Sequence, residues 1–497
     1  MNQNYFIMKH LKTFLFTLAV FGLSVSAMAQ STYVITDNGT NFDASKSGDS
    51  FVSDLPIQGI IDAIKADADG ADCTIQFENG SFTLYVPGPQ TNIHFDGGTS
   101  GTDWGVITLK GKLISECYIF YGGAIKLTNG VHINSYADIT ALLSGYDGGS
   151  FPFNNVSGTL TICDGTLKGD GWCILNTGTL NITGGKFEIA LTQPAINVAP
   201  VLNGSKGILN ISGGTVDGGI NSAIISHNSA KATISGDAVI KSSVMYQYDD
   251  FFKWGSGTIS IVINDESSDE CLKITGGTIE NTGEEGVVLC NISPAEASIE
   301  GGILKASGTD GKAIYNRDGT VIFSKGVVLA NGTTITDVIY GDITQVDDAV
   351  IVAWDKAAGN TNYDIGTSND LFKLPEEEAN VVWNRQGEDN GISVKMGATD
   401  AFIPMEGITV EDVGVKTLTN NELRLYPNPT TSLLTLDNGD LKIKNVEVFD
   451  IMGRKQLSIV NCPLSIKKMD ISDLSNGIYF LKITTENGVV MKKIIKN

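Results

Sequence analysis

Between Leu160 and Leu329 one pattern of apolar and polar positions recurs seven times. The copies LTICDGTLK, LNITGGKFE, LNISGGTVD, ATISGDAVI, LKITGGTIE, ASIEGGILK and VIFSKGVVL begin at Leu160, Leu180, Leu209, Ala232, Leu272, Ala297 and Val321. Positions one and three are almost always apolar, with Thr, Asn or Lys between them in most copies. Such alternation describes a strand with one buried side. Position six is usually Gly, where positive φ costs little. Position eight, which is Leu167, Phe187, Val216, Val239, Ile279, Leu304 or Val328, resumes the inward series on a second strand. Each copy therefore predicts two short strands around a bend. A unit of that size cannot bury its own apolar side, so successive copies must stack into a solenoid. Start-to-start spacings of 20, 29, 23, 40, 25 and 24 residues suit a parallel β-helix whose corners carry loops of different lengths.

Upstream, Ile57, Ile60, Ile61 and Ile64 share one face of a short predicted helix ended by Gly70, and CTIQFENGSFTL follows as strand. This order resembles the N-terminal cap of right-handed parallel β-helix proteins of the pectate-lyase-like group. The resemblance implies a helix covering the first rung. The segment 107–113 is an early, imperfect rung, so the solenoid is expected over 55–345, with 30–54 as a lead-in. Residues 346–420 lose the repeat and are expected to form a transition segment or small β-module.

Residues 1–29 combine Lys9, His10 and Lys12 with an apolar run from Phe14 to Val25 and the tripeptide Ala27-Met28-Ala29. That combination predicts a secretory signal peptide cut before Gln30. No later stretch is long and apolar enough to predict a transmembrane segment in the mature chain. Charge is uneven: residues 30–420 carry a net −27 and residues 421–497 a net +3. The acidity of the long part argues against nucleic acid as a partner. It permits weak calcium binding, although no calcium-loop motif occurs, and no other cofactor is expected. Seven cysteines, an odd number, supply no disulfide framework. Cys271 and Cys290 lie about a rung apart and are one candidate pair; Cys163 and Cys173 are a second.

The longest spacing holds SSVMYQYDDFFKWGSG. Tyr246, Tyr248, Phe251, Phe252 and Trp254 there surround Asp249, Asp250 and Lys253, a set suited to a glycan-binding surface. The bland alternative is a loop folded back over the solenoid flank. Gly165 to Trp172 resembles the G-T-I-D-G-x-G-x-W segment of the polygalacturonase family. The family's other catalytic segments have no counterpart here: Asn176-Thr177 is followed by Gly178, and no Gly-His-Gly or Arg-Ile-Lys occurs. If the solenoid is catalytic, its acids are Asp164, Asp170, Asp249 and Asp250.

From Leu423 short strands alternate with turns, as expected of a small Ig-like β-sandwich. The segment resembles the type A C-terminal sorting domain of the type IX secretion system of Bacteroidota through four motifs. These are Tyr426-Pro427-Asn428-Pro429-Thr430, then VEVFD at 446–450 with Gly453, then MDISDL at 469–474 with Gly477-Ile478-Tyr479, and last Lys492-Lys493-Ile494-Ile495-Lys496. The resemblance implies recognition of 421–497 by the outer-membrane translocon, and release or surface attachment of the cargo. The expected molecule is all-β: a right-handed parallel β-helix with an N-terminal capping helix, then a sorting β-sandwich. Its expected role is a non-enzymatic adhesion or glycan-binding surface module. The alternative is a polysaccharide lyase or glycoside hydrolase with its site on the flank.

Overall fold

The computed structural model describes residues 30–354, 379–404 and 424–497, except 79–82, 87–92, 100–102, 118–121, 144–149, 196–197, 228, 250–253, 263–268, 333–334, 346–348, 387–388, 397–398, 438–442, 451–453, 461–467 and 486–487. The expected signal peptide and most of the expected transition segment lie outside the described residues.

The solenoid is a stack of parallel strands. Leu160, Leu180, Leu209, Ala232, Leu272, Ala297 and Val321 lie directly above one another through successive strand pairings. Beyond each corner a second ladder runs through Leu167, Phe187, Val216, Ile240, Ile279, Leu304 and Val328. The repeat pattern predicts two strands per rung, and the structure has three. Ser150–Asn155, Ile174–Asn176, Val201–Asn203, Ile224–His227, Ile259–Val262, Val287–Asn291 and Lys312–Asn316 belong to a separate ten-stranded parallel sheet. The inward Leu, Ile, Val and Phe of all three ladders form one continuous core. Each fully buried aliphatic side chain there contributes roughly 2 kcal/mol relative to exposure.

One inward residue differs from the repeat alignment. Val239, expected at position eight, is 37% exposed, and Ile240 takes the inward place. In this copy Asp237 replaces the usual Gly at position six, and Gly236 carries the positive φ of +58° one residue early. The corner is therefore one residue longer, and the strand after it shifts by one.

Parallel pairing also takes in flanking segments. Ser31–Asp37 pairs in parallel with Cys73–Phe77 and antiparallel with Phe42–Lys46, which in turn pairs with Asp49–Leu55. The turn between the last two strands places Ser47 and Gly48 at positive φ, as a two-residue hairpin loop requires. At the other end Ala349–Trp354 pairs with Thr320–Asn331.

Helix α1, Ile57–Ala68, starts after Pro56, which has no N–H to leave unpaired. It buries Ile57, Ile60, Ile61 and Ile64 and ends at Asp69 in the left-handed conformation, where the Asp69 N–H reaches Lys65 O. Its apolar face joins the solenoid core.

Ala379–Gln386, Asp389–Met396 and Thr399–Pro404 form a three-stranded sheet. Residues 424–497 form two antiparallel sheets. One contains Arg424–Tyr426, Leu433–Asp437 and Lys468–Asp470. The other runs Lys455–Val460, Ile443–Asp450, Gly477–Thr485, Gly488–Lys496. Leu434, Leu436 and Met469 from the first meet Val446, Val448, Leu481, Ile483 and Ile494 from the second in one core, as in a β-sandwich.

Candidate functional site

The corners that join the first and second ladders form a groove. Tyr136 and Asp138 come from one corner, Asp164, Gly165 and Thr166 from the next, and Gly185 and Lys186 from the one after. Together they line a cavity of about 430 Å³. Gly165 and Gly185 both sit at positive φ, +91° and +82°, and a Cβ on either would strike the backbone of the preceding rung, so no side chain fits at these two positions of the lining. Asp138 Oδ1 accepts the Thr166 N–H at 2.8 Å, and Asp164 Oδ1 accepts the Gly165 N–H at 2.8 Å. Both carboxylates thus have one oxygen fixed by backbone. Tyr136 is 48% exposed, and hydrogen bonding to Cys163 holds its hydroxyl above the ordinary tyrosine pKa. Lys186 pairs with Glu188 on its own strand, and this partner raises the pKa of its ammonium.

Of the acids expected from sequence, Asp164 lies in this groove; the Asp250 residue and the Asp249 side chain lie outside what the structure describes. Asp170 follows the far end of the strand Thr166–Gly169, four residues or roughly 13 Å beyond the corner at Thr166. Asp170 does not line the groove. Trp172, from the segment resembling polygalacturonases, is buried and meets Phe151 edge-on at 5.9 Å. Sequence reasoning missed Tyr136, Asp138 and Lys186. Extending the repeat back to Ile133 would have found the first two, but Ser135 fills the place that Ile162 takes one rung later and hides that copy.

In the aromatic insert, Tyr248–Asp249 and Trp254–Gly255 pair as a short antiparallel hairpin. Asp250, Phe251 and Phe252 lie outside the described residues. Tyr246 packs on the outer side of the ten-stranded sheet with Val287, Cys290, Ile292 and Tyr315. Its ring lies 4.6 Å from Tyr315, which stacks in turn on Tyr340 at 4.5 Å and 8°. The Tyr246 hydroxyl is buried and meets no hydrogen-bond partner by geometry. Burial first, with Tyr315 adding to it, holds that hydroxyl well above the ordinary tyrosine pKa.

Neither candidate cysteine pair is formed. Cys163, Cys173, Cys271 and Cys290 are all free thiols. Cys271 lies in the main core and Cys290 in the cluster on the outer side of the ten-stranded sheet. Cys173 is buried beside the carbonyls of Leu167 and Glu188, to which its thiol donates. Burial pushes the thiols of Cys173, Cys271 and Cys290 up to about 12. Among the described residues no group of three or more His, Cys, Asp or Glu converges as a metal site, and no helix is long and apolar enough to cross a membrane.

In the C-terminal sandwich the first and last expected motifs meet. The Asn428 side chain donates from Nδ2 to Lys493 O and accepts the Ile495 N–H at Oδ1, both at 2.9 Å. Thr430 N–H donates to Ile495 O, and Asn497 N–H to Thr430 O, both at 2.9 Å. Tyr426, Pro427 and Pro429 are exposed, as is Lys493; Lys492 is half-buried. Lys496 is buried and its ammonium turns to Asn497 O. Gly477 opens the strand on which Tyr479 is buried, with its hydroxyl donating to Ser475 O at 2.8 Å. Gly453 lies outside the described residues.

Residues 424–497 match the family described as the secretion system C-terminal sorting domain. This segment is the type IX sorting domain of the chain, and it directs the protein out of the cell through that machinery. No curated protein and no solved structure matches the chain.

Proposed function

We propose that the exported solenoid is a non-enzymatic surface module that binds a neutral glycan in the groove of Tyr136, Asp138, Asp164 and Lys186. The observation that carries this is the composition of that groove: a half-exposed tyrosine ring beside two carboxylates whose free oxygens can accept sugar hydroxyls. Each carboxylate already takes a backbone N–H, which suits fixed recognition better than proton transfer. The net −27 of residues 30–420 repels polyuronates and sulfated chains, so an uncharged polysaccharide is the favoured ligand. After export the protein is released or held at the cell surface.

The aromatic insert, with Tyr246, Tyr248, Phe251, Phe252 and Trp254, is at most a minor contact for the same glycan. The test uses the mature full-length chain against neutral, uronate-rich and sulfated polysaccharides. Retention and the appearance of new reducing or unsaturated ends are scored together. Retention on a neutral polysaccharide without new ends is expected. New ends on any substrate would overturn the non-enzymatic assignment and support a lyase or hydrolase.

A further inference from the structure

The bonds between residues 428–430 and the C-terminal strand join two motifs 65 residues apart. An edge strand leaves one row of backbone groups without a ladder partner. In Gly488–Lys496 that row includes Lys493 C=O, the Ile495 N–H and C=O, and, just past the strand, the Asn497 N–H. Four contacts fill these positions: two from the Asn428 side chain and two from the Thr430 backbone. Thr430 is itself 3% exposed, and its hydroxyl donates to Leu433 O at 2.9 Å. The anchor is thus tied to the opposite sheet. Asn428 acts here as a one-residue surrogate strand, since its amide offers one donor and one acceptor spaced like a peptide group. Beside the held residues, Ile478 pairs with Ile495 and Phe480 with Lys493. These two apolar side chains are 40% and 37% exposed, so the held end of the strand borders an outward apolar face.

We infer that Asn428 is a positioning residue of the sorting signal. With Thr430 it forms a clasp that holds Lys493–Asn497 in the sheet, and the export machinery reads the last strand only in that held state. The first and last motifs are then one epitope made at one place in the fold. This inference rests on the sorting-domain match and is independent of the glycan proposal.

The test expresses the full-length chain in a host carrying the type IX machinery, with Asn428→Ala and Asn428→Asp. Exported and cell-retained protein are quantified, and amide hydrogen exchange is measured on the purified chains. Asn428→Ala should speed exchange at Ile495 and Asn497 at least ten-fold, leave Val448 and Leu481 protected, and cut the exported fraction at least five-fold. Asn428→Asp keeps the acceptor for the Ile495 N–H and loses the donor to Lys493 O, so both readouts should fall between alanine and wild type. Wild-type export of Asn428→Ala with faster exchange would overturn the inference, and so would unchanged exchange at Ile495. If alanine also exposes Val448 and Leu481, Asn428→Asp decides on the same two readouts. Partial loss at Ile495 with partial loss of export then supports the clasp, and any other combination overturns it.

Discussion

The Asn155 side-chain amide donates to Asn176 Oδ1 at 2.8 Å, and Asn176 donates in turn to Asn203 Oδ1 at 2.9 Å, each inside the solenoid at the turn that follows the ten-stranded sheet. The same amides also donate to Thr179 O and Ile208 O of the next rung. All three side chains are fully buried, so every lost partner leaves a polar atom without water. Asn176→Ala removes two ladder bonds and should destabilise the chain by about 3 kcal/mol, since a buried group left unpaired costs roughly 1–3 kcal/mol. Thermal unfolding beside the exposed control Lys110→Ala measures this. Equal midpoints would show that the ladder is dispensable.

The corner glycines separate two costs. Gly214 has φ +77°, and a Cβ there would lie 2.6 Å from Gly184 O, while Gly219 has φ +56° with nothing within 4 Å. Gly219→Ala should lose only the conformational term, about 1–2 kcal/mol. Gly214→Ala must also move the rung below, and should lower the unfolding midpoint further. Equal losses would mean that the rungs yield freely at this corner.

The shifted register at the Ala232 copy makes a paired prediction. Ile240→Asp buries a charge in the core and should prevent folding or cost several kcal/mol, while Val239→Asp should be tolerated within about 0.5 kcal/mol. Soluble yield and melting temperature of the two variants check it. The reverse ranking would restore the unshifted alignment.

Asp96 accepts from Asn129 Nδ2 at 2.7 Å and from the Gly98 N–H at 3.0 Å. These two bonds, the Asn129 one foremost, hold its pKa below the ordinary aspartate value. A depressed folded pKa contributes stability that is fully present above the unfolded value of about 3.9 and is lost as pH falls through the folded value. Asn129 has φ +51°, so Asn129→Gly removes the donor without straining the backbone. Its melting point should lie below wild type at pH 7, with the gap closing as pH drops below the aspartate range. A gap that widens in acid would contradict the assignment.

Much of the fold was legible in the sequence because its core side chains recur along the chain. Leu160, Leu180 and Leu209 announce one ladder by alternation alone. The third strand of each rung stayed hidden because ILN at 174–176 and VLN at 201–203 have too few residues to show a period. Their signal was instead the recurrent buried Asn that closes them. The groove was less legible still. Tyr136, Asp164 and Lys186 belong to three corners and meet only through stacking, and stacking depends on corner lengths that the Asp237 copy shows can change by one residue. In the C-terminal sandwich the motifs were plain, but the contact between Asn428 and Lys493 was not, since nothing local in either segment points to the other.

The most direct test of the glycan assignment is equilibrium binding of the mature full-length chain to the neutral polysaccharide that retains it, beside Tyr136→Ala and Trp254→Ala. Removing the Tyr136 ring should weaken binding at least ten-fold, and Trp254→Ala should change it less than three-fold. Wild-type affinity in Tyr136→Ala would contradict the account and remove the groove as the binding site.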